Sequence, residues 1–305
     1  MARFIHTGFF RLYIFFLGLL FYLFKKEERK NITINQRQAL RIRLKSNRVS
    51  PTLIKTFFGI FAHYHEKLLM AYKPLPKLKI FLESRLRLRN KHYLDRVLTK
   101  GKGAILVTGH FGAVEFLPMA LSLQGYKVAM ILKYKTKRLK EKLPAKVKPL
   151  DIMLIDASEP LAALKALKAI KNGRLLITEC DEFKEWLPCD KRKIKVFGAT
   201  VPLDKSLDFF YHKTKVPALL CLISRNNNSF TLFFEPLVDG QTETSLSERA
   251  WTKMERFIIE QPYQWYQWKS LAPILLTIDK PRQINAHKKN QYLPPWRSFY
   301  PVYIT

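Results

Sequence analysis

The pattern of apolar and polar positions changes its period near residue 101. Before that point apolar residues recur at helical spacing, as in the stripe that follows the helix-start pair Ser50-Pro51. After it, short apolar runs typical of buried strands alternate with amphipathic stretches typical of helices. This alternation predicts an α/β fold with a mostly parallel sheet flanked by helices. The predicted strands are Ala104–Val107, Lys127–Leu132, Ile152–Ile155, Arg174–Thr178, Ala218–Ile223 and Phe230–Glu235, and the predicted helices are Ala113–Leu123, Lys135–Lys146, Pro160–Lys171, Leu203–Thr214 and Leu246–Glu260.

The amino-terminal 24 residues are apolar on every face of a helix. Their uncharged core, Leu12 to Phe24, has 13 residues, fewer than the roughly 20 that span a bilayer. Adding Phe4 to Phe10 lengthens the run to 21 residues and includes Arg11, whose side chain could reach the headgroups. No small-residue cleavage site follows the run. We therefore predict an uncleaved membrane anchor that either spans the membrane or lies deep in one leaflet, with the basic remainder of the chain in the cytoplasm.

These changes in pattern divide the chain into four segments. Residues 1–30 form the anchor and its basic flank, and residues 31–100 form a mostly helical lead-in. Residues 101–270 form the α/β domain, and residues 271–305 form an irregular tail with several prolines.

The chain is strongly basic, with 54 Lys and Arg against 24 Asp and Glu and a formal net charge of +30. Such a surface favours anionic partners, namely nucleic acid, acidic lipid headgroups or an acidic carrier protein. The three cysteines are an odd number and none stands at CxxC spacing. This pattern indicates neither a disulfide framework nor a zinc site, and it fits a reducing compartment best.

A histidine lies in the glycine-rich turn that follows the first predicted strand of the α/β domain. The turn reads Thr108-Gly109-His110-Phe111-Gly112, and Glu115 follows five residues after the histidine. Open α/β folds place their chemistry at this carboxyl edge of the sheet. The arrangement suits a histidine base whose second ring nitrogen is held by the carboxylate of Glu115. The alternative is a histidine that only caps or hydrogen-bonds the turn.

The His-x4-Glu pair, placed straight after a buried strand with glycines on both sides of the histidine, resembles the motif of the bacterial lipid A biosynthesis acyltransferases. These enzymes belong to the wider glycerolipid and lysophospholipid acyltransferase superfamily. The likeness extends from Gly101 to Lys269 and ends in Gln264-Trp265-Tyr266-Gln267-Trp268-Lys269, which is similar to the closing segment of the family.

Three further segments are similar to family segments thought to meet the substrate. The resemblance implies substrate contacts for Lys133, Lys135 and Arg138, which follow the second predicted strand, although lysines stand where arginine is expected. Asp181 follows the strand Arg174–Thr178, where a carboxylate could bind sugar hydroxyls, orient a base, or simply lie in a solvated loop. Gly198 lies in a Phe-Gly turn that could offer backbone N–H groups to an oxyanion.

The resemblance implies a membrane-associated acyltransferase. It would move an acyl chain from acyl carrier protein or coenzyme A to a hydroxyl of a membrane glycolipid such as a lipid A precursor. His110 would take the hydroxyl proton and Glu115 would orient the imidazole, with no metal and no other cofactor. The protein would lie on the bacterial cytoplasmic (inner) membrane, with an anionic membrane surface and no nucleic acid among its partners. The alternatives are a non-catalytic lipid-binding relative and a basic nucleic-acid-binding protein.

Overall fold

The computed structural model describes residues 2–44, 49–99, 101–134, 136–182, 188–197, 199–226, 229–237 and 244–271. The lead-in has four helices, one strand and a fifth helix: α1 (Ala2–Phe24), α2 (Lys26–Leu44), α3 (Val49–Tyr72), α4 (Leu75–Glu83), β1 (Leu86–Arg89) and α5 (Lys91–Leu98). The α/β domain continues with β2 (Ala104–Thr108), α6 (Leu117–Leu123), β3 (Val128–Leu132), α7 (Lys137–Val147), β4 (Ile152–Asp156), α8 (Ala162–Lys171), β5 (Leu175–Glu179), β6 (Pro188–Val196), β7 (Ala199–Asp204), α9 (Lys205–Thr214), β8 (Ala218–Asn226), β9 (Ser229–Pro236) and α10 (Leu246–Glu260).

The described strands form one seven-stranded sheet in the order β1-β9-β8-β2-β5-β3-β4 and a separate antiparallel pair, β6-β7. In the large sheet only the β8–β9 pair is antiparallel. The expected α/β fold with a mostly parallel sheet is therefore confirmed. The six strands that the apolar runs predicted are all present in this sheet.

The central strand β2 is buried on both faces, as a continuous apolar run predicts. Its side chains alternate between the two faces of the sheet. Ile105 and Val107 join the core on the side of α8, α9 and α10, whereas Ala104 and Leu106 join the core on the side of α4, α5 and α6. Helices therefore cover both faces of β2, and its carboxyl end opens at the edge of the sheet.

The residues that end the helices follow local rules. Ser245 and Glu248 form a reciprocal capping box at the start of α10, whose bounds match the predicted helix. Gly173 follows α8 with a positive φ of 77°, a conformation that favours glycine after a helix.

Two elements of the fold differ from the prediction because short period-two patterns lay inside charged segments. β1 interrupts the mostly helical lead-in; its two leucines are half-buried and Arg87 and Arg89 are largely exposed. The β6–β7 hairpin was not predicted, although Ile194 and Val196 are buried while Lys193 and Lys195 are exposed. In β1 and β6, exposed basic side chains alternate with the apolar ones and leave few apolar residues to indicate a strand.

The amino-terminal helix α1 packs along α3 through aromatic rings. The ring of Phe15 stacks on Phe58 at 5.2 Å, and Phe21 meets Phe61 edge-on at 5.4 Å. In the described residues, no helix combines the length and the apolar character that crossing a membrane requires, so the predicted anchor is not supported. The irregular tail that was predicted over residues 271–305 lies outside the described residues from residue 272 onward.

Candidate active site

The sheet register brings the ends of two strands to the same place. β2 and β5 are parallel neighbours, and Thr108 lies opposite Glu179 at their carboxyl ends. The pairing continues one residue further, since Cys180 N–H donates to the carbonyl of Thr108 at 2.9 Å. In this register, His110 comes two residues after one strand and Asp181 two residues after the other, so the sheet itself brings the two side chains together.

Asp181 is fully buried, and both of its carboxylate oxygens accept hydrogen bonds from protein groups. Oδ1 lies 2.9 Å from Nδ1 of His110, and Oδ2 accepts from the backbone N–H of His110 at 2.8 Å. Oδ2 also accepts from the indole Nε1–H of Trp265 at 2.7 Å. Asp181 therefore fixes the position of the His110 ring and favours the ring form that keeps a proton on Nδ1.

Two more carboxylates lie beside the other ring nitrogen. Nε2 of His110 is 3.0 Å from Oε1 of Glu182 and 3.7 Å from Oε2 of Glu179. Burial by itself would lower the pKa of the His110 imidazole, but the three surrounding carboxylates outweigh it and raise that pKa well above 6.5. Burial also raises the pKa of Glu179 to about 7, although His110 opposes this shift. The surrounding carboxylates therefore favour the protonated, imidazolium form of His110.

The ring of Tyr266 packs against the rings of two histidines. Its ring meets the His110 ring edge-on at 5.0 Å and stacks on the ring of His63, from α3, at 3.7 Å. The hydroxyl oxygen of Tyr266 is buried without a hydrogen-bond partner among the described residues. Burial and the surrounding acids raise the pKa of Tyr266 well above its usual value, so the phenol remains neutral.

The structure corrects the predicted partner of His110. Glu115 lies in a short 3₁₀ turn, Val114–Phe116, that packs against α3. Its carboxylate is 3.3 Å from Nζ of Lys67 and 3.5 Å from Nε2 of His63. The described contacts of the His110 ring nitrogens go instead to acids that follow or end β5. The prediction that Glu115 orients the imidazole is wrong in this structure, because the turn after β2 directs Glu115 towards α3.

The position of Asp181 also differs from the one expected for a substrate-binding residue. The sequence leaves open whether Asp181 binds sugar hydroxyls, orients a base or lies in a solvated loop, and the family resemblance favours the substrate contact. Because both oxygens are occupied by protein donors and no part of the residue is exposed, Asp181 cannot meet a substrate directly. The structure supports the other alternative, in which Asp181 orients His110.

The remaining predicted contacts lie at the same edge or outside the described residues. Lys133 follows β3 directly and is exposed at the carboxyl edge of the sheet. Arg138 lies in the first turn of α7, and its guanidinium stands 5.7 Å from the ring centre of Tyr72. Lys135 and Gly198 lie outside the described residues.

The sequence did not lead us to predict that α3 contributes polar side chains to the site around His110. His63, Glu66 and Lys67 stand at positions i, i+3 and i+4, so they share one face of the helix. We interpreted that stretch as an apolar stripe, but the three polar side chains are turned towards the site, and His63 and Glu66 are buried. Such a group of polar residues inside an otherwise apolar stripe is the signal that could have revealed it.

Only one group of side chains in the described residues has the spacing of a metal site. His110, Glu179 and Glu182 each offer one ligand atom, and these atoms lie within 4.8 Å of one another. A cation there would occupy Nε2 of His110, which is the nitrogen that faces away from Asp181. A cation and a proton-accepting role for this histidine would therefore compete for the same atom.

The pKa of His110 gives a direct test of this geometry. Replacing Glu182 with glutamine removes a negative charge 3.0 Å from Nε2 without changing the size of the side chain. We expect Glu182→Gln to lower the pKa of the imidazole by about one unit, the scale of a close ion pair. The measurement is an NMR titration of the histidine ring protons, with the His110 signal identified by its loss in His110→Gln.

Glu159→Gln is the matched control, since Glu159 pairs with Lys165 away from this site. It should leave the pKa of His110 unchanged. The raised pKa of His110 also means that its protonation stabilises the folded state. This stabilisation should be complete below about pH 6.5 and should be lost as the pH rises through the raised pKa of His110. An unchanged His110 pKa in Glu182→Gln would contradict the described contact.

Comparison with known protein families extends the resemblance seen in the sequence. Residues 3–270 match the family described as Bacterial lipid A biosynthesis acyltransferase. The matched range includes the whole described sheet and every residue of the His110 site. The comparison with curated proteins finds no match. Because the family match covers well over half of its length, the chain belongs to the bacterial lipid A biosynthesis acyltransferase family.

Proposed function

We propose that the protein is a membrane-associated O-acyltransferase that moves a fatty acyl chain from a thioester to a hydroxyl of a glycolipid such as a lipid A precursor. The observation that carries the proposal is His110 at the carboxyl edge of the sheet, with Nδ1 on the buried carboxylate of Asp181. An imidazole held in this way can accept a proton at Nε2. The membership of the chain in an acyltransferase family supports this use of the site.

In the proposed reaction the acceptor hydroxyl takes the place of Glu182 beside Nε2. Loss of that carboxylate contact lowers the pKa of the imidazole, and the ring releases its Nε2 proton to solvent. His110 therefore becomes a competent base only when the acceptor is bound. As Nε2 takes the hydroxyl proton, the oxygen attacks the thioester carbonyl carbon. The tetrahedral intermediate then collapses with breakage of the carbon–sulfur bond, and the departing thiolate takes the proton from His110.

The properties of the cysteines that the structure describes favour direct transfer of the acyl chain from donor to acceptor. Cys180 and Cys221 are both buried, and burial raises the pKa of the Cys221 thiol. A buried thiol with a raised pKa is a poor nucleophile. We therefore propose that donor and acceptor are bound together and that no acyl-enzyme intermediate forms. Lys133, exposed at the same edge, would stabilise the negative charge on the carbonyl oxygen.

We assign Glu115 to the acceptor rather than to the base. Its carboxylate is 28% exposed and is held by Lys67 from α3. A fixed, accessible carboxylate can accept hydrogen bonds from the hydroxyl groups of a sugar. Arg138, in the first turn of α7, would contact the donor or an anionic group of the acceptor, and we propose the same for Lys135, which lies outside the described residues. The donor is acyl carrier protein or acyl-coenzyme A, both of which are acidic and suit a chain with a net charge of +30.

The surface of α1 supports the proposed location at the cytoplasmic face of the inner membrane. Large apolar side chains on this helix are exposed, and one on α3 beside it is exposed as well. Soluble monomeric proteins rarely expose a large contiguous apolar patch, and such patches mark sites of interaction with other proteins or with membranes. We propose that this α1 face, together with neighbouring basic residues, binds an anionic membrane surface. The exposed residues are Leu12, Phe15, Phe16, Leu19, Leu20, Leu23, Phe24 and Ile54.

The reaction is tested by lipid mass spectrometry of cells with and without the gene. Loss of the gene should remove one acyl chain from a glycolipid, and the intact gene should restore it. His110→Ala should fail to restore it and should lower kcat by about 10²–10⁴-fold, the usual contribution of a general base. His92→Ala, at an exposed histidine of α5, is the control and should restore the lipid fully. An unchanged lipid profile in cells without the gene would favour a non-catalytic lipid-binding protein.

The different roles that we propose for Asp181 and Glu115 are tested by double-mutant cycles with His110→Ala. Asp181 acts through His110, so adding Asp181→Asn to His110→Ala should lower kcat by less than about threefold. Glu115 acts on the acceptor, so the losses caused by Glu115→Gln and His110→Ala should multiply. The opposite pattern, with Glu115 non-additive and Asp181 additive, would show that Glu115 orients the base.

Membrane binding is tested by sedimentation with vesicles that contain phosphatidylglycerol. Phe16 and Leu20 are each about half exposed on α1. Replacing both with glutamate removes apolar contact worth about 1.5–3 kcal/mol per side chain and should weaken binding at least tenfold. The measurement is made in about 0.5 M salt, which screens the basic surface. Leu164→Glu, at an exposed site on α8, should bind as the wild type does. If the α1 variant and this control bind the vesicles equally well, the membrane-binding surface of the protein lies elsewhere.

A further inference from the structure

A buried ion pair joins the lead-in to the far end of strand β8. Arg225, near the end of β8, donates from Nε to Oε1 and from Nη2 to Oε2 of Glu66, on α3; the second bond is 2.8 Å long. The arginine side chain is 16% exposed and the glutamate 6%. Removing two charges from water is costly, and a buried pair is therefore weak evidence for a purely stabilising purpose.

The same guanidinium also reaches the turn that carries His110. Nη2 of Arg225 donates to the backbone carbonyl of Gly112, two residues after the histidine. Gly112 has a φ of +58°, and a Cβ built there would lie 1.9 Å from the carbonyl oxygen of Ile223. The next residue, Ala113, donates its N–H to that oxygen at 2.8 Å. The turn therefore packs closely against β8, and Arg225 holds the carbonyl of Gly112.

Gln264 links this contact to the segment that holds Asp181. Its Oε1 accepts from the N–H of Arg225 at 2.7 Å, and its backbone carbonyl accepts from the N–H of Gly112 at 2.9 Å. The following residue, Trp265, donates to Asp181. Tyr266 N–H then donates to the carbonyl of His110 at 3.3 Å. His110 and the Asp181 carboxylate are therefore both hydrogen-bonded to the segment 264–266. This segment is in turn hydrogen-bonded to Arg225 through Gln264.

We infer that Arg225, fixed by Glu66, is a positioning residue for His110. It acts through the Gly112 carbonyl, and no contact with substrate is required of it. A guanidinium suits this position because its fork can bind both carboxylate oxygens of Glu66 while another N–H reaches the turn. A lysine offers a single charged centre and cannot hold both groups in the same geometry. A change of about 1 Å in the position of a catalytic group can lower the rate about 100-fold.

The inference rests on the proposed function for its kinetic consequence, and the experiment therefore has two readouts. The variants are Arg225→Lys, which keeps the charge, and Glu66→Gln, which keeps the shape but removes the anchor for the arginine. The matched control is Glu235→Gln. Glu235 is a largely buried acid of β9 that pairs with Lys253 at 2.8 Å and with Arg256, away from His110.

The first readout is the NMR signal of the His110 ring, which requires no substrate. Arg225→Lys and Glu66→Gln should move this signal and shift its titration, whereas Glu235→Gln should not, even if all three variants lower the melting temperature alike. The second readout is acyl transfer. The two variants should lower kcat about 10- to 100-fold with KM for the acyl donor within about twofold of the wild type.

An unmoved His110 signal in both variants would overturn the inference, whatever the enzyme acylates. A moved signal without any acyl transfer by the wild type would support the inference and contradict the proposed function. A kcat loss in Glu235→Gln as large as that in Arg225→Lys would show that the effect is general destabilisation, and this too would overturn it. If Glu66→Gln does not fold, Arg225→Lys alone decides, because it retains an ion pair with Glu66.

Discussion

The described site depends on one fully buried carboxylate. Asp181 accepts two hydrogen bonds from His110 and one from Trp265, so it joins the ends of two sheet strands to the segment that closes the domain. The three donors satisfy both oxygens of this buried carboxylate, and removing any of them would leave a buried polar group with a missing partner, which costs free energy. This one side chain therefore fixes the position of the imidazole and the direction in which its free nitrogen points.

The acids around His110 are opposite in sign to the net charge of the chain. The chain carries a net charge of +30, yet three acids surround the imidazole and Glu115 lies nearby on the α3 side. These acids favour the protonated ring, and in our proposal they keep the base inactive in the absence of substrate. In our proposal an acceptor hydroxyl displaces Glu182 and thereby produces the neutral ring that it needs. The basic exterior would meanwhile attract an anionic membrane and an acidic acyl donor.

The sequence predicted the sheet better than it predicted the site. Long apolar runs identified β2, β3, β4, β5, β8 and β9 because each is buried against helices or neighbouring strands, and the periodicity of α10 gave its bounds. The partner of His110 was missed because it depends on strand order. β5 lies next to β2 although β3 and β4 intervene in the chain, and only that neighbourhood sets Asp181 opposite His110. Local spacing favoured Glu115, whose direction is set by long-range contacts of the Gly112 turn with Ile223, Gln264 and Arg225.

If Asp181, and not Glu115, orients His110, the protons on the His110 ring should occupy defined positions. The measurement is ¹⁵N NMR of the histidine-labelled wild-type protein, at a pH above the raised pKa of this imidazole. We expect the remaining proton on Nδ1, hydrogen-bonded to Asp181, with Nε2 unprotonated. Asp181→Asn should disturb this state and Glu115→Gln should leave it unchanged. A wild-type ring that keeps its proton on Nε2, or one that responds to Glu115→Gln and not to Asp181→Asn, would show that Asp181 does not orient His110.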